Sequence, residues 1–225
     1  MMDRPEPSAT TITSAALPPS ACPLSLRLRS ATRDLHRDAE RAGLMAALLR
    51  GHVERERYAR LLVNLHALYA ALEPALEDCG TQPGFAAFGF AALRRAPALA
   101  ADLASLQVHT PPALAPAMQA YVARLQRLAR EQPALLVAHA YVRYLGDLNG
   151  GQVLGPQIGR ALSIDAGGLR FFDFGPPEAS AAAAARFRAA LDALPLADAD
   201  EAQALLDEAR WSFAQHVELF DELAA

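Results

Sequence analysis

The chain has little cysteine chemistry to offer. Cys22 and Cys79 are the only cysteines in 225 residues, too few for a disulfide framework or a cysteine-built zinc site. That scarcity fits a reducing compartment, and a cytoplasmic location is expected. Long apolar runs are missing too: no stretch of about 18 apolar residues exists, so no membrane span is expected. Residues 1–23, rich in Ser, Thr, Pro and Ala, lack the apolar segment of a signal peptide and read as a disordered tail. A net charge of −4 leaves no basic excess for nucleic acid. There is no Glu-x-x-His, which excludes a di-iron carboxylate bundle, and no His-Glu-x-x-His zinc motif. A Gly-x-Gly-x-x-Gly nucleotide fingerprint is absent, as is a cysteine cluster for an iron–sulfur centre. Electrons for any redox chemistry would have to come from a separate donor.

Strand signals are almost absent, and what remains is helix. From Leu24 onward Ala and Leu recur at helical spacing, with Arg and Glu on the polar faces. The pattern predicts helices over 24–41, 55–79, 90–106, 114–130, 132–162, 178–194 and 199–223. Breakers separate them, among them Thr110-Pro-Pro112, Gly167-Gly168 and Gly175-Pro-Pro177. Asp198 or Asp200 is placed to cap the last helix. Leu169-Arg-Phe-Phe-Asp-Phe174 is the one segment with extended character. The expected architecture is all-α, a single-domain irregular helical bundle over residues 24–225. Such bundles commonly hold cofactors between facing helices.

The most informative segment is Tyr141-Val-Arg-Tyr-Leu-Gly-Asp-Leu-Asn-Gly-Gly-Gln-Val-Leu154. Its apolar positions are helical, yet it carries Gly146, Gly150 and Gly151, with Gly155 just beyond. Each glycine within a helix costs about 1 kcal/mol relative to alanine, so something must offset roughly 3–4 kcal/mol. Glycine lets a helix bend and lets backbone approach a flat ligand. Asp147 sits among the glycines, with Arg143 one turn before it. A kinked helix with bare backbone and one acid suggests a roof over a planar cofactor.

The first helix carries a second signal. Arg29, Arg33, His36 and Glu40 recur at spacings of four, three and four and share one helical face. The bland account of that face is solvated ion pairs. Against it, two cations precede the histidine, on the side the helix dipole disfavours. A dianionic ligand whose centre meets the histidine explains them. A glutamate one turn after a histidine can accept from its second ring nitrogen and leave the other free for a metal. A single histidine suits haem iron, whose porphyrin already supplies four nitrogens. For His52, His66, His109, His139 and His216 the default is a surface or satisfied core histidine.

With these residues in view, the chain resembles the haem oxygenase family. Three segments carry the resemblance: Leu28 to Glu40, Pro133 to Leu154 with its Gly-Asp-Leu-Asn-Gly-Gly-Gln core, and Phe213 to Leu223. It covers residues 24–223. It implies haem b held between a proximal N-terminal helix and the glycine-kinked distal helix, with His36 as iron ligand and Glu40 orienting it. Gly146, Gly150 and Gly151 would lie against the haem face. Asp147, Tyr69 and Arg143 would form the distal network that delivers protons. Arg29, Arg33, Tyr141 and Arg188 would contact the propionates. Phe213 and Phe220 read either as pocket aromatics or as plain core. The implied reaction consumes haem, dioxygen and electrons from a ferredoxin, flavodoxin or reductase, and releases biliverdin, carbon monoxide and ferrous iron. Neither nucleic acid nor a membrane is an expected partner.

Departures from the family pattern set further expectations. Asn149 stands where serine is common, Val142 where threonine is common, and His216 where asparagine is common. Asp192, one turn after Arg188, falls where a basic propionate partner is often seen. A carboxylate there is expected to repel a propionate unless turned away, and so to loosen the seating of the haem and admit a minor product isomer. Two rival readings are a haem carrier or sensor without turnover, and a different enzyme on a similar bundle, such as a thiamin-degrading hydrolase with a nucleophilic cysteine.

Overall fold

The computed structural model describes residues 22–82 and 84–225. The tail expected over residues 1–23 therefore lies, except for its last two residues, outside the described residues. The described residues form eight α-helices: α1 (Leu24–Arg41), α2 (Gly43–Leu49), α3 (Arg55–Gly80), α4 (Ala96–Ser105), α5 (Pro116–Glu131), α6 (Leu136–Leu162), α7 (Pro177–Asp192) and α8 (Ala199–Ala224). Short 3-10 turns join some of them, and there is no strand among the described residues. No described helix is long and apolar enough to cross a membrane.

Local chemistry sets the helix ends. Asp198 caps α8, its Oδ1 accepting from the backbone N–H of Asp200 (3.0 Å) and Glu201 (2.9 Å). Glu201 in turn accepts from the N–H of Ala197 at 2.6 Å, so the start of α8 is satisfied by its own sequence. Pro116 and Pro177 open α5 and α7, where a missing N–H costs nothing. The N-cap position of α1 is Pro23, which offers no side-chain bond, and its first turn has no acid.

The observed elements depart from the predicted ones in three places. Helix α2 was not expected. At seven residues it is too short to show a period, and it depends on a close approach: a Cβ on Gly43 would stand 2.4 Å from the Phe220 carbonyl oxygen in α8. The predicted helix 90–106 is split into a 3-10 turn at Phe90–Leu93 and α4. The junction is held by Glu73, which accepts from the N–H groups of Arg95 and Ala96. The segment 169–174 is not extended either. It makes a 3-10 turn at Arg170–Phe172, gripped by Asp102, which accepts from the N–H of Arg170 (2.9 Å) and of Phe171 (2.8 Å). Arg95 donates to the carbonyl of Asp173 at 2.7 Å and lies 3.9 Å over the Phe174 ring.

Helix α1 packs on α7 and α8, α3 on α4 and α5, and α6 on α7 and α8. Helix α6 stays continuous through all its glycines. It buries Leu136, Val137, Tyr144, Leu145, Leu148 and Ile158. At about 1.5–3 kcal/mol for each large apolar side chain buried, these outweigh the roughly 4–5 kcal/mol that its five glycines cost.

Candidate active site

Two helices carry polar residues at matched spacing. On α6, His139, Arg143 and Asp147 stand four apart; on α8, Glu208, Ser212 and His216 do the same. Each set shares one face of its helix, and the two faces meet. His139 is fully buried, its Nε2 3.0 Å from Glu208 and its Nδ1 3.0 Å from the Tyr121 hydroxyl. Burial pushes the Glu208 carboxyl up, but hydrogen bonds from His139 and Arg124 outweigh it and bring it down to about 2. His139, a satisfied core histidine, has no free nitrogen and no exposure.

Next to this polar seam lies a cleft with an inner cavity of about 330 Å³ and an outer one of about 650 Å³. They share His36, Glu40, Val142, Gly146, Gly150 and Phe213, so they are one continuous space. Among the histidines, only His36 and His216 line it. The His36 side chain is 54% exposed, and its Nδ1 faces Glu40 Oε1 at 3.6 Å. That separation is too long for the expected hydrogen bond, so Glu40 acts here as a facing charge. No described residue makes a hydrogen bond to His36 Nε2. The ring meets Phe213 edge-on at 5.8 Å. Phe213 and Phe220 both line the inner cavity while staying mostly buried, so each is at once core and wall.

Four of the five glycines of α6 divide into two pairs; at the fifth, Gly159, a Cβ would stand 2.8 Å from Leu169 Cδ1. A Cβ on Gly146 would meet nothing within 4 Å, and one on Gly150 only Leu154 Cδ1 at 3.9 Å. Those two leave bare backbone facing open cleft. A Cβ on Gly151 would stand 3.1 Å from the Phe172 carbonyl oxygen, and one on Gly155 would stand 2.9 Å from Phe172 Cβ. These two seat the 169–174 turn against α6. Gly151, expected on the ligand face with the others, therefore lines the inner cavity but gives its missing side chain to Phe172.

Asp147 lies at the inner end, its side chain 10% exposed. Arg143 Nη2 donates to its Oδ1 at 2.7 Å, and the Tyr69 hydroxyl donates to its Oδ2. Arg143 Nε also donates to Tyr69 at 3.2 Å. Burial pushes the Asp147 carboxyl above its ordinary value, against the pull of Arg143 and Tyr69. For Arg143, burial works against the charge, and the Asp147 carboxylate together with Tyr69 and Tyr121 more than restores it. The predicted trio is thus one hydrogen-bonded unit.

At the mouth, Arg29, Arg33, Tyr141 and Arg188 line the outer cavity. The three arginines are exposed; as planar forks they can bind a carboxylate through two bonds. Tyr141 lies 3.3 Å from Thr32 Oγ1, which donates to Leu28 O at 2.8 Å. That contact ties α6 to α1.

Asp192 does not face this mouth. Its Oδ1 accepts from the backbone N–H of Ser25 at 2.8 Å and its Oδ2 from the Ser25 hydroxyl at 3.0 Å. It supplies from α7 the cap that α1 lacks, so its carboxylate is turned to Ser25, the condition under which the expected repulsion is relieved. Replacing Asp192 with alanine should cost about 1 kcal/mol, some 2–4 °C in melting temperature for a chain of this size, and leave the product isomers unchanged. Calorimetry and chromatography of the product check this; a new isomer would return Asp192 to a steering role.

Sequence reasoning did not find the Tyr121–His139–Glu208 seam or the contribution of α2. The signal for the seam was present in the four-residue spacing of Glu208, Ser212 and His216, which matches that of His139, Arg143 and Asp147.

The cleft is tested against an iron porphyrin by its own residues. It offers an imidazole nitrogen without a partner on one wall, bare helix backbone over open space on the other, apolar lining between, and arginines where two propionates would emerge. These fit. Among the described residues no group of three or more His, Cys, Asp or Glu is arranged to hold a metal ion, so a metal here would bring most of its ligands with it.

Comparison with known proteins agrees. The family model described as Heme oxygenase matches residues 22–222. The Heme oxygenase of Pyropia yezoensis is 36% identical over 207 residues, 89% of this chain and 85% of the relative. Among solved structures, heme oxygenase-1 of the cyanobacterium Synechocystis, in complex with heme, superposes with a TM-score of 0.83 at 34% identity, covering 90% of this chain and 92% of that one. The heme oxygenase of Leptospira interrogans superposes with a TM-score of 0.83 at 33% identity, covering 89% and 100%.

Proposed function

The chain belongs to the haem oxygenase family, and from that premise we propose the role of each residue in the cleft. The activity is the oxygen-dependent cleavage of haem to biliverdin, with release of carbon monoxide and ferrous iron. Bound haem, of the b type, supplies both the iron that activates dioxygen and the porphyrin carbon that is oxidised.

His36 offers Nε2 as the one protein ligand to the iron. Glu40, facing Nδ1, favours the tautomer that leaves Nε2 free. A neutral imidazole pushes less electron density onto iron than a thiolate and promotes O–O cleavage less, which suits oxidation of the ring itself. Arg29, Arg33 and Arg188, with Tyr141, hold the propionates and set which edge of the ring points inward. Gly146 and Gly150 leave bare backbone on the cleft, where a flat ligand would be able to approach the helix. Asp147 keeps its Oδ1 on Arg143 and its Oδ2 on Tyr69. Their remaining lone pairs can order water and pass protons without direct donation. Electrons come from a separate ferredoxin, flavodoxin or reductase, in a reducing cytoplasm that suits two free cysteines.

The observation that carries this reading is His36 with an unpartnered Nε2 across one cleft from Asp147 and two bare glycines. Neither cysteine lines the cleft, so the hydrolase reading lacks its nucleophile. The test is addition of hemin, then of a reductant in air. Biliverdin should appear with carbon monoxide trapped alongside it. A stable haem complex that forms no bilin would mark a carrier instead.

A further inference from the structure

His216 has a place in this site that neither the resemblance nor the comparisons assign. It is buried on α8, lines the inner cavity, and meets two groups whose chemistry fixes its state. Its Nδ1 lies 2.7 Å from the backbone carbonyl of Ser212. A carbonyl can only accept, so Nδ1 carries the hydrogen. Its Nε2 lies 3.2 Å from Arg143 Nη1. A guanidinium can only donate, so Nε2 is bare and accepts. Both contacts are satisfied by one species, the neutral Nδ1–H tautomer.

We propose that His216 is a positioning residue for haem cleavage, holding the Arg143 guanidinium in register with Asp147 and Tyr69. Arg143 then has one partner on each of three helices: Asp147 on its own α6 at 2.7 Å, Tyr69 on α3 at 3.2 Å and His216 on α8 at 3.2 Å. Three donors aimed in three directions stop the planar fork from turning. Asp147, which takes its orientation from that fork, is fixed in consequence. The groups around His216 favour the neutral ring: burial and the Arg143 charge, with His139 behind them, bring it down to about 3. Tyr121 on α5 stacks edge-on against it at 5.3 Å and Phe220 stands at 6.1 Å. Glu208, the nearby carboxylate of the same helix, is occupied by His139 and Arg124. The acceptor therefore persists through the working pH range.

The inference rests on Asp147 being the proton-handling acid, and the test separates the two. In the unloaded protein, nitrogen NMR of the imidazoles should show His216 as the Nδ1–H tautomer, unchanged between about pH 5 and 8. His216→Leu fills similar space but accepts nothing. It should lower kcat roughly 10-fold, the loss of one hydrogen bond to a charged group, with KM nearly unchanged. It should also shift the acid–alkaline transition of the ferric haem spectrum. His216→Asn and His216→Gln, whose amides offer one acceptor and one donor, should restore both. An Nε2–H tautomer, or a leucine variant with unchanged kcat and transition, overturns the proposal while leaving haem cleavage intact. If the leucine variant fails to fold, the tautomer in the unaltered protein decides. Failure of the Asp147 role itself would show as normal bilin yield when Asp147 is replaced.

Discussion

Replacing His36 with alanine should abolish the histidine-ligated haem spectrum and reduce turnover to background. The expectation is strong because the cleft holds no substitute. His216 is the other histidine lining it, and both its nitrogens are engaged. His139 is fully buried with both nitrogens engaged as well. Haem should still enter, since the arginines at the mouth and the apolar walls are untouched. The alanine leaves room for a free imidazole, and adding one should restore part of the spectrum and part of the activity. Little stability should be lost, because the side chain is half exposed and exposed positions usually change it by less than about 0.5 kcal/mol. An unchanged spectrum in this variant would remove His36 from the iron.

Replacing Asp147 should have the second large effect, of a different kind. Asp147→Ala should bind haem with nearly unchanged affinity, yet turn over slower by ~10²–10⁴, the range for a lost acid–base group. Peroxidase-like oxidation of added reductants should rise as bilin formation falls. The alanine also leaves Arg143 buried without its counter-charge, at a cost of about 3–5 kcal/mol in stability. Asp147→Asn keeps an acceptor for Arg143 and so separates chemistry from folding: it should melt closer to the wild type while remaining defective in bilin yield. Absorption of the bilin product against peroxidase activity is the measurement. Normal biliverdin from either variant would end the assignment.

Much of this site was legible before the fold because its residues lie close together along the chain. Arg29, Arg33, His36 and Glu40 occupy one helical face, and Arg143, Gly146, Asp147 and Gly150 another, so period alone groups each set. Tyr69 came from resemblance, and its bond to Asp147 spans 78 positions, which no local pattern encodes. The division of the glycines was hidden for a similar reason. Gly150 and Gly151 are neighbours in sequence, and only the position of Phe172 shows that one faces the cleft and the other a packed turn. Asp192 was misread because its partner, Ser25, lies at the opposite end of the chain. A charge beside an arginine suggests a shared ligand until the structure shows it turned to a backbone N–H. Helix α2 escaped because seven residues carry too little periodicity to announce a helix.

The bond from Asp192 to Ser25 spans 167 positions, and it bears on the order in which the molecule is made. Helix α1 precedes the other described helices, its first turn has no cap of its own, and it packs chiefly on α8, with smaller contacts to α2 and α7. Contacts so distant in sequence must await loop closure and are slow to form. The α1 wall of the cleft, His36 included, therefore cannot settle until α7 and α8 have been made. Until then α1 lacks the α8 face it packs on, so the cleft and the rest of the fold are completed together.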